Sequence, residues 1–325
     1  MPAAFVTGGT GFVGWHVAKA LAADGWTVRA LARGGVERRS GLEDLPVDIV
    51  EGDLSTEAEL VRGLTGCSAV VHAAGVVKAR TLADYRAVNV EGTQRLLAAG
   101  SVACRDALFV YVSSQAAAGP ARGGRPVAET DPPQPVSWYG MSKLEGEQAV
   151  AMVWSGPWIV LRPGVLYGPR DRGLLTYFRM AGRGLVPVPS PRRRIQIGGV
   201  DEAALGIARA AGRPDLSGRA GFLCDERPLT IFELASAIAS GAGRPTRLVE
   251  VPDAVVKIAG FVETLRERIT GMSRPFNADK AREVLAGDWL CDSGPMRRDL
   301  DLAKPPSLED GLANAWVWYR EYGWL

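Results

Sequence analysis

Histidine is nearly missing from this chain: His16 and His72 are the only two among 325 residues. The four cysteines, Cys67, Cys104, Cys224 and Cys291, lie far apart and form no Cys-x-x-Cys pair. Zinc catalysis built on clustered His and Cys ligands is thereby disfavoured, and no metal is expected. Dispersed thiols without a disulfide framework suit a reducing, cytoplasmic setting. An excess of one charge is lacking too. Lys and Arg total 38 against 36 Asp and Glu, a net charge of +2, which predicts no strong attraction to nucleic acid or anionic lipid. No apolar run reaches the roughly 18 residues that span a bilayer. The first residues hold no basic segment ahead of an apolar stretch, so neither a membrane segment nor secretion is expected.

Glycine and proline, by contrast, are plentiful, at 39 and 21 residues, in a composition that is 47% hydrophobic and 23% charged. That is an ordinary globular balance with many tight turns. Residues 3–7 read as a buried strand. A helix over 12–24 follows, with Phe12, Val13, Val17, Ala20 and Leu21 at helical spacing. Further strands are expected at 27–31, 48–50 and 69–73. A long helix over 82–99 precedes a strand at 108–112, and a helix over 138–153 precedes one at 158–161. Strands alternating with helices imply an α/β, doubly wound parallel sheet. This first domain covers residues 1–165, with 200–212 packing back on it. Beyond Arg162-Pro163 the alternation is lost, and Pro187, Pro189 and Pro191 break the chain. Residues 166–325 are expected to form mainly a smaller substrate-binding region, ending in the aromatic cluster Trp316, Trp318, Tyr319, Tyr322 and Trp324.

Gly8, Gly11 and Gly14 stand between the first strand and the first helix. A tight turn there lets backbone approach a pyrophosphate and points the free N–H groups of a helix N-terminus at the anion. Tyr139 and Lys143 are four residues apart, so on a helix both face the same way. A phenol is a poor base at neutral pH, and a neighbouring ammonium is expected to lower its pKa. A hydroxyl at a strand end, where Val112-Ser113-Ser114 lies, would orient a substrate oxygen.

Together these tracts resemble the extended short-chain dehydrogenase/reductase family, of the NAD-dependent epimerase/dehydratase type. The resemblance covers most of the chain. It rests on Thr7-Gly-Gly-Thr-Gly-Phe-Val-Gly14, Asp53-Leu54, Val71-His-Ala-Ala-Gly75, Asn89-Val-Glu-Gly-Thr93, Tyr139-x-x-x-Lys143 and Arg162-Pro-Gly-Val-Leu-Tyr-Gly-Pro169, in that order. It implies a Rossmann fold and a catalytic set of Ser114, Tyr139 and Lys143. It implies cofactor contacts from Gly8, Gly11, Phe12, Val13, Gly14, Asp53, Leu54, Ala73, Ala74, Gly75, Tyr139, Lys143 and Pro163. Ser113 would lie near the nicotinamide, and Asn89 would sit in a helix below the site, with a role open between structure and function. A homodimer formed through paired helices is common in the family.

The end of the second strand bears on the choice of cofactor. An NAD enzyme wants an acid there for the ribose hydroxyls, but the tract is Val28-Arg-Ala-Leu-Ala-Arg33. Arg33 suits a 2′-phosphate, so NADP(H) is favoured, with NAD(H) the alternative. The same tract resembles dihydroflavonol reductases, and Tyr111 to Pro120 resembles the 3β-hydroxysteroid dehydrogenase branch. Nucleotide-sugar dehydratases and decarboxylases carry acids after the active hydroxyl, where this chain has Gln115 and Ala116. Epimerase-reductases of the GDP-fucose-synthase kind need a Cys and a His in the site, and no histidine follows Tyr139. Plain hydride transfer between nicotinamide and a secondary alcohol or ketone remains, with a lipophilic, steroid- or flavonoid-like substrate. A nucleotide-sugar 4-epimerase is the alternative, with Arg194, seven residues before Asp201, on the substrate's pyrophosphate. Gln115, just after Ser114, is a candidate substrate contact in either reading. A non-catalytic cofactor-binding scaffold is a third reading, against which the intact Tyr and Lys stand.

One further stretch has helical amphipathicity. Val255, Ile258, Val262, Leu265, Ile269 and Met272 recur at helical spacing, with Lys257, Glu263, Arg266, Glu267 and Arg268 between them. Three readings fit: a helix packed on the smaller core, a flap over an apolar substrate, or a surface that rests on lipid.

Overall fold

The computed structural model describes residues 1–35, 41–272, 276–304 and 306–325. The first part of the chain runs β1 (Ala3–Thr7), α1 (Phe12–Ala23), β2 (Thr27–Ala32), β3 (Asp48–Glu51), α2 (Glu57–Leu64) and β4 (Ala69–His72). It continues through α3 (Leu82–Asn89), α4 (Glu91–Ala103), β5 (Leu108–Val112), α5 (Gln115–Ala118), α6 (Trp138–Val153) and β6 (Trp158–Pro163). The second part holds β7 (Val165–Tyr167), α7 (Leu175–Gly182), β8 (Leu185–Pro189), β9 (Arg194–Ile195), β10 (Ile197–Gly199), α8 (Val200–Ala210) and β11 (Arg219–Leu223). Then come β12 (Leu229–Thr230), α9 (Ile231–Ser240), β13 (Arg247–Val251), α10 (Asp253–Thr270), α11 (Ala278–Leu285), α12 (Gly294–Asp299) and α13 (Leu308–Glu321).

Seven parallel strands form one sheet in the order β11-β6-β5-β4-β1-β2-β3. Both faces are covered by helices, so its central strands are apolar throughout instead of alternating. All of Ala69–His72 and all of Leu108–Val112 are buried. One face packs on α1 and α8, through Val17, Leu21, Ala204 and Ile207. The other packs on α2, α4 and α6, through Leu60, Leu96, Leu97 and Val150. Strand order reverses between β1 and β4, and in such sheets the crevice beyond the strand ends at that reversal is the ligand position.

The expected helix over 82–99 is two helices, broken at Val90 (φ −111°, ψ −62°), and the second runs on to Ala103. Thr81 starts the first with a reciprocal capping box to Asp84. Pro187 and Pro189 do not break the chain. They lie in β8, which among the described residues pairs with β13 alone and forms a two-stranded edge where a missing N–H is tolerated. A second core gathers Phe178, Val186, Val188, Ile238, Leu312, Trp316 and Tyr319 from α7, β8, α9 and α13. The amphipathic stretch 254–272 is a helix, α10, but it is not a core helix. Only Val256, Gly260 and Glu267 are buried, and Val255, Ile258, Val262, Leu265, Ile269 and Met272 are exposed.

Candidate active site

The glycine loop follows β1 directly. Gly8 has φ +75°, and a Cβ there would stand 2.7 Å from the backbone of Ala73 and Ala74. At Gly14 a Cβ would meet the Gly8 carbonyl oxygen at 2.2 Å, so neither position tolerates a side chain. Gly11 N donates to Gly8 O at 2.8 Å and then caps α1 without a side chain, and the first turn of α1 carries no acid. Phe12 and Val13 open α1 half-buried. This cradle of bare backbone at a helix N-terminus fits a dinucleotide pyrophosphate. Ala73, Ala74 and Gly75 close its other side: Ala73 N and Ala74 N donate to Thr7 O and Thr7 Oγ1, each at 3.2 Å.

Arg33 is exposed immediately after β2. Its charge, with that of Arg95, reaches Asp53, whose carboxyl is held below its ordinary range chiefly by hydrogen bonds from Ser55. Leu54 packs on Gly92 of α4, where a Cβ would lie 2.9 Å from its Cδ1. Pro163 is the buried last residue of β6, paired with Leu223.

Ser137 starts α6 by accepting from Gly140 N, and the Trp138 N–H donates to both carboxylate oxygens of Asp279, at 2.9 and 3.0 Å. The cap therefore comes partly from α11, about 140 residues along the chain. α6 places Tyr139 and Lys143 on one face, and Ser114, the N-cap of α5, stands beside the Tyr139 phenol. The structure thus brings Ser114, Tyr139 and Lys143 together. Burial pushes the phenol up to about 12, the neighbouring Ser114 hydroxyl opposes this, and the Glu283 carboxylate adds to it. The lowering expected from Lys143 does not govern the phenol. Burial instead pushes the lysine itself down to about 7, with Glu147 opposing. Lys143 Nζ lies 4.2 Å from the ring centroid of Tyr111, and a Cβ on Gly75 would stand 3.9 Å from it.

Ser113 turns its hydroxyl into the interior. It donates to Glu147 at 2.5 Å, and Glu147 also takes both arms of Arg162, at 2.9 and 2.6 Å. Asn89 is fully engaged: Oδ1 accepts from Val76 N at 2.8 Å, and Nδ2 donates to Val76 O at 3.0 Å and Ser142 Oγ at 2.9 Å. Its place is a clamp between the 75–77 loop and α6. Neither histidine joins the set. His72 is enclosed in β4 between Thr7 Oγ1 (2.6 Å) and Thr93 Oγ1 (2.9 Å), and burial pushes it down to about 3. His16 binds Asp201 at 2.8 Å and Pro169 O at 3.0 Å.

The two candidate substrate residues differ. Gln115 Nε2 is buried without a hydrogen-bond partner, one residue after Ser114. Arg194 is already bound by Asp288, through its backbone N–H and two guanidinium nitrogens, at 2.7 to 2.9 Å. Arg193 likewise holds Asp253. Glu147 escaped the sequence reading, although its spacing of four from Lys143 places it on the same helix face. Tyr85, 6.1 Å from the Tyr139 ring, and Asp279 and Glu283 had no signal near the motifs they serve.

A model of the NAD dependent epimerase/dehydratase family matches residues 4–209. The chain belongs to this family. As an epimerase/dehydratase family member it is an NAD(P)-dependent oxidoreductase built on a Rossmann fold. It is 35% identical over 326 residues to the ceramide reductase of Caulobacter vibrioides (strain NA1000 / CB15N), covering 98% of this chain and 95% of that one. It is 28% identical, over 95% of this chain and 94% of the other, to the 4-hydroxy-2-methyl-3-oxo-4-farnesyl-3,4-dihydroquinoline-1-oxide ketoreductase of Stigmatella aurantiaca. The UDP-glucuronic acid 4-epimerase of Bacillus cereus, solved in complex with NAD, shares the fold at TM-score 0.76 and 18% identity over 98% of this chain and 99% of its own.

Proposed function

We propose that this enzyme reduces a ketone carried on a long-chain lipid to the secondary alcohol, with NADPH as hydride donor. The observation that carries the reading is the Tyr139 phenol. It lies beside Ser114 and is held up at about 12, so it is a protonated donor throughout the neutral range, as a carbonyl reduction requires. When bound, the nicotinamide supplies the hydride to the carbonyl carbon. Ser114 positions the carbonyl oxygen, and Tyr139 gives its proton to that oxygen. Lys143, four residues on, recharges the phenol and holds the cofactor ribose. Gly8, Gly11, Gly14, Phe12 and Val13 cradle the pyrophosphate. Ala73, Ala74, Gly75 and Pro163 border the nicotinamide half, and Asp53 and Leu54 border the adenine. Arg33, exposed just after Ala32, which stands where an NAD enzyme would keep an acid, receives the 2′-phosphate.

The lipid substrate is supported by the names of two relatives, a ceramide reductase and a farnesyl-quinoline ketoreductase. It also fits a neutral Gln115 beside Ser114, and an Arg194 whose guanidinium Asp288 already occupies. A second reading, nucleotide-sugar 4-epimerisation, is favoured by the fold shared with the Bacillus cereus epimerase. It would need Arg194 to leave Asp288 for a pyrophosphate.

One assay separates them. A ketone-bearing long-chain amide is offered with NADPH and with NADH, and a UDP-sugar with NADP+ and with NAD+, the hydride acceptors that epimerisation needs at the start. The lipid reading expects one NADPH oxidised per alcohol formed, a poorer rate with NADH that Arg33→Asp narrows, and little effect of Arg194→Ala. Tyr139→Phe should lower turnover by about 10²–10⁴-fold. Sugar epimerisation without net cofactor use, weakened about tenfold or more by Arg194→Ala, would replace the lipid reading.

A further inference from the structure

Helix α10 has its polarity reversed. At 3.6 residues per turn, Val256, Gly260 and Glu267 form the face turned to the body of the protein, and Gly260 allows close packing on Ala281 of α11. The opposite face, aimed straight outward, is Ile258, Phe261, Val262, Leu265 and Ile269, continued by Met272. Phe261 is 67% exposed and Ile269 76%. Ordinary surface helices turn such a stripe inward, and a contiguous exposed apolar band marks an interaction surface.

Charge says what covers it. Lys257 and Arg268 flank the stripe on one side and Arg266 on the other. The helix acids Asp253 and Glu263 are tied to Arg193 and Arg266. Lys257 and Arg268 form no ion pair among the described residues. At the C-terminal end, Gly271 (φ +69°) turns the chain beside Arg80, which extends the cationic border, and exposed Val77 and Lys78 precede it on the same loop. A second copy is a poor occupant. Two α10 helices paired about a two-fold axis at their midpoint would set Lys257 against the other copy's Arg268, like against like. α10 itself balances three acids against three cations, and the segregation is one of faces: Asp253, Glu263 and Glu267 lie on the side of Val256 and Gly260, while Lys257, Arg266 and Arg268 border the apolar stripe.

We propose that α10, with Arg80 at its end, seats this enzyme on the surface of an anionic phospholipid bilayer. The helix would lie in the plane of the interface, with its apolar face among the acyl chains and its cations at the headgroups. The inference rests on the lipid-ketone reading for its purpose. α11, beneath α10, supplies Asp279 to the start of the catalytic helix and Glu283 to the surroundings of Tyr139. The loop bearing Arg80 follows Gly75. The membrane-facing surface and the candidate site therefore share one side of the molecule, and a lipid ketone need not cross water.

The test is flotation of the full chain with vesicles of equal parts phosphatidylglycerol and phosphatidylcholine, and with phosphatidylcholine alone. The chain is expected to float with the anionic vesicles. Ile258→Ser/Leu265→Ser/Ile269→Ser should reduce partitioning by about tenfold or more, and Lys257→Gln and Arg268→Gln by about fivefold each. Reduction of a water-soluble short-chain ketone should be unchanged in all three variants, which shows that they fold. No flotation of the parent chain overturns the proposal, as does equal flotation of the triple variant. Sedimentation showing that the triple variant turns a dimer into a monomer also overturns it, in favour of a protein seam. Vesicle binding without lipid-ketone turnover would count against the substrate reading alone. Turnover of a detergent-solubilised ketone without vesicle binding would count against this inference alone.

Discussion

Lys143 is the most costly residue in the candidate site. It is almost wholly buried, and burial takes its ammonium from an ordinary 10.5 to about 7. Between those two values the unfolded chain holds the proton and the folded chain does not, so stability rises with pH across that window. At pH 7 the buried charge therefore opposes folding. Lys143→Met should raise the melting temperature of the cofactor-free protein at pH 7, a gain of about 1–4 kcal/mol. Glu147 still has Arg162 and Ser113 as partners in that variant. Turnover should vanish with it. In the parent enzyme kcat/KM for the cofactor should fall as pH rises through about 7, where the free lysine loses its charge. A variant that melts at or below the parent, or a flat pH profile, counts against this account. Tyr139 and Lys143 were legible in the sequence because their spacing is that of a helix face. The fate of the lysine charge was not, because burial is a property of the assembled neighbours Tyr111, Gly75 and Glu147.

α6 is held at its start and beyond its middle by groups outside itself. Asp279 caps its start, and within the helix Glu147 grips Arg162 of β6 in a buried, two-pronged ion pair that also takes the Ser113 hydroxyl. Arg162→Met should cost about 3–5 kcal/mol in urea unfolding, because it leaves a buried carboxylate without its two-pronged partner, with only the Ser113 hydroxyl and the nearby Lys143 to offset it. Glu147→Leu/Arg162→Met should recover most of that loss, since an apolar pair of similar volume removes both charges. No recovery in the double variant would mean that the pair carries more than its own neutralisation. The helix over 138–153 was legible from its apolar spacing, with bounds that match. The stretch 82–99 hid its break because nothing in Asn89-Val-Glu marks a boundary except the tertiary demand that Asn89 clamp the 75–77 loop. β8 was misread for a similar reason: proline alone signals a break, and only pairing with β13 along an edge makes Pro187 and Pro189 acceptable.

Over the whole molecule, the parallel sheet and its glycine loop could be read from the alternation of elements, whereas the second part could not. Its core joins α7, β8, α9 and α13 from well-separated stretches, and no local period records that union. The molecule also carries an acid-sensitive group at its centre. His72 lies in β4, enclosed between two threonine hydroxyls, with its pKa taken from 6.5 to about 3. Below 6.5 the unfolded chain binds a proton that the folded chain refuses, so stability falls with pH by up to about 1.4 kcal/mol per unit. Urea unfolding at stepped pH below 7 should show this slope, and His72→Gln should remove about one proton from it. An unchanged slope would show that His72 titrates alike in both states. The Asp279 cap has a consequence for recombination. An exchange that swaps the chain beyond Gly164 for a relative's, in order to change the substrate, also replaces the acid that starts the catalytic helix. A hybrid lacking a carboxylate at that position leaves the Trp138 N–H unanswered and loosens the turn bearing Tyr139. Successful hybrids should therefore keep the stretch that supplies Asp279 with the half it serves, even though some 140 residues separate the two along the chain.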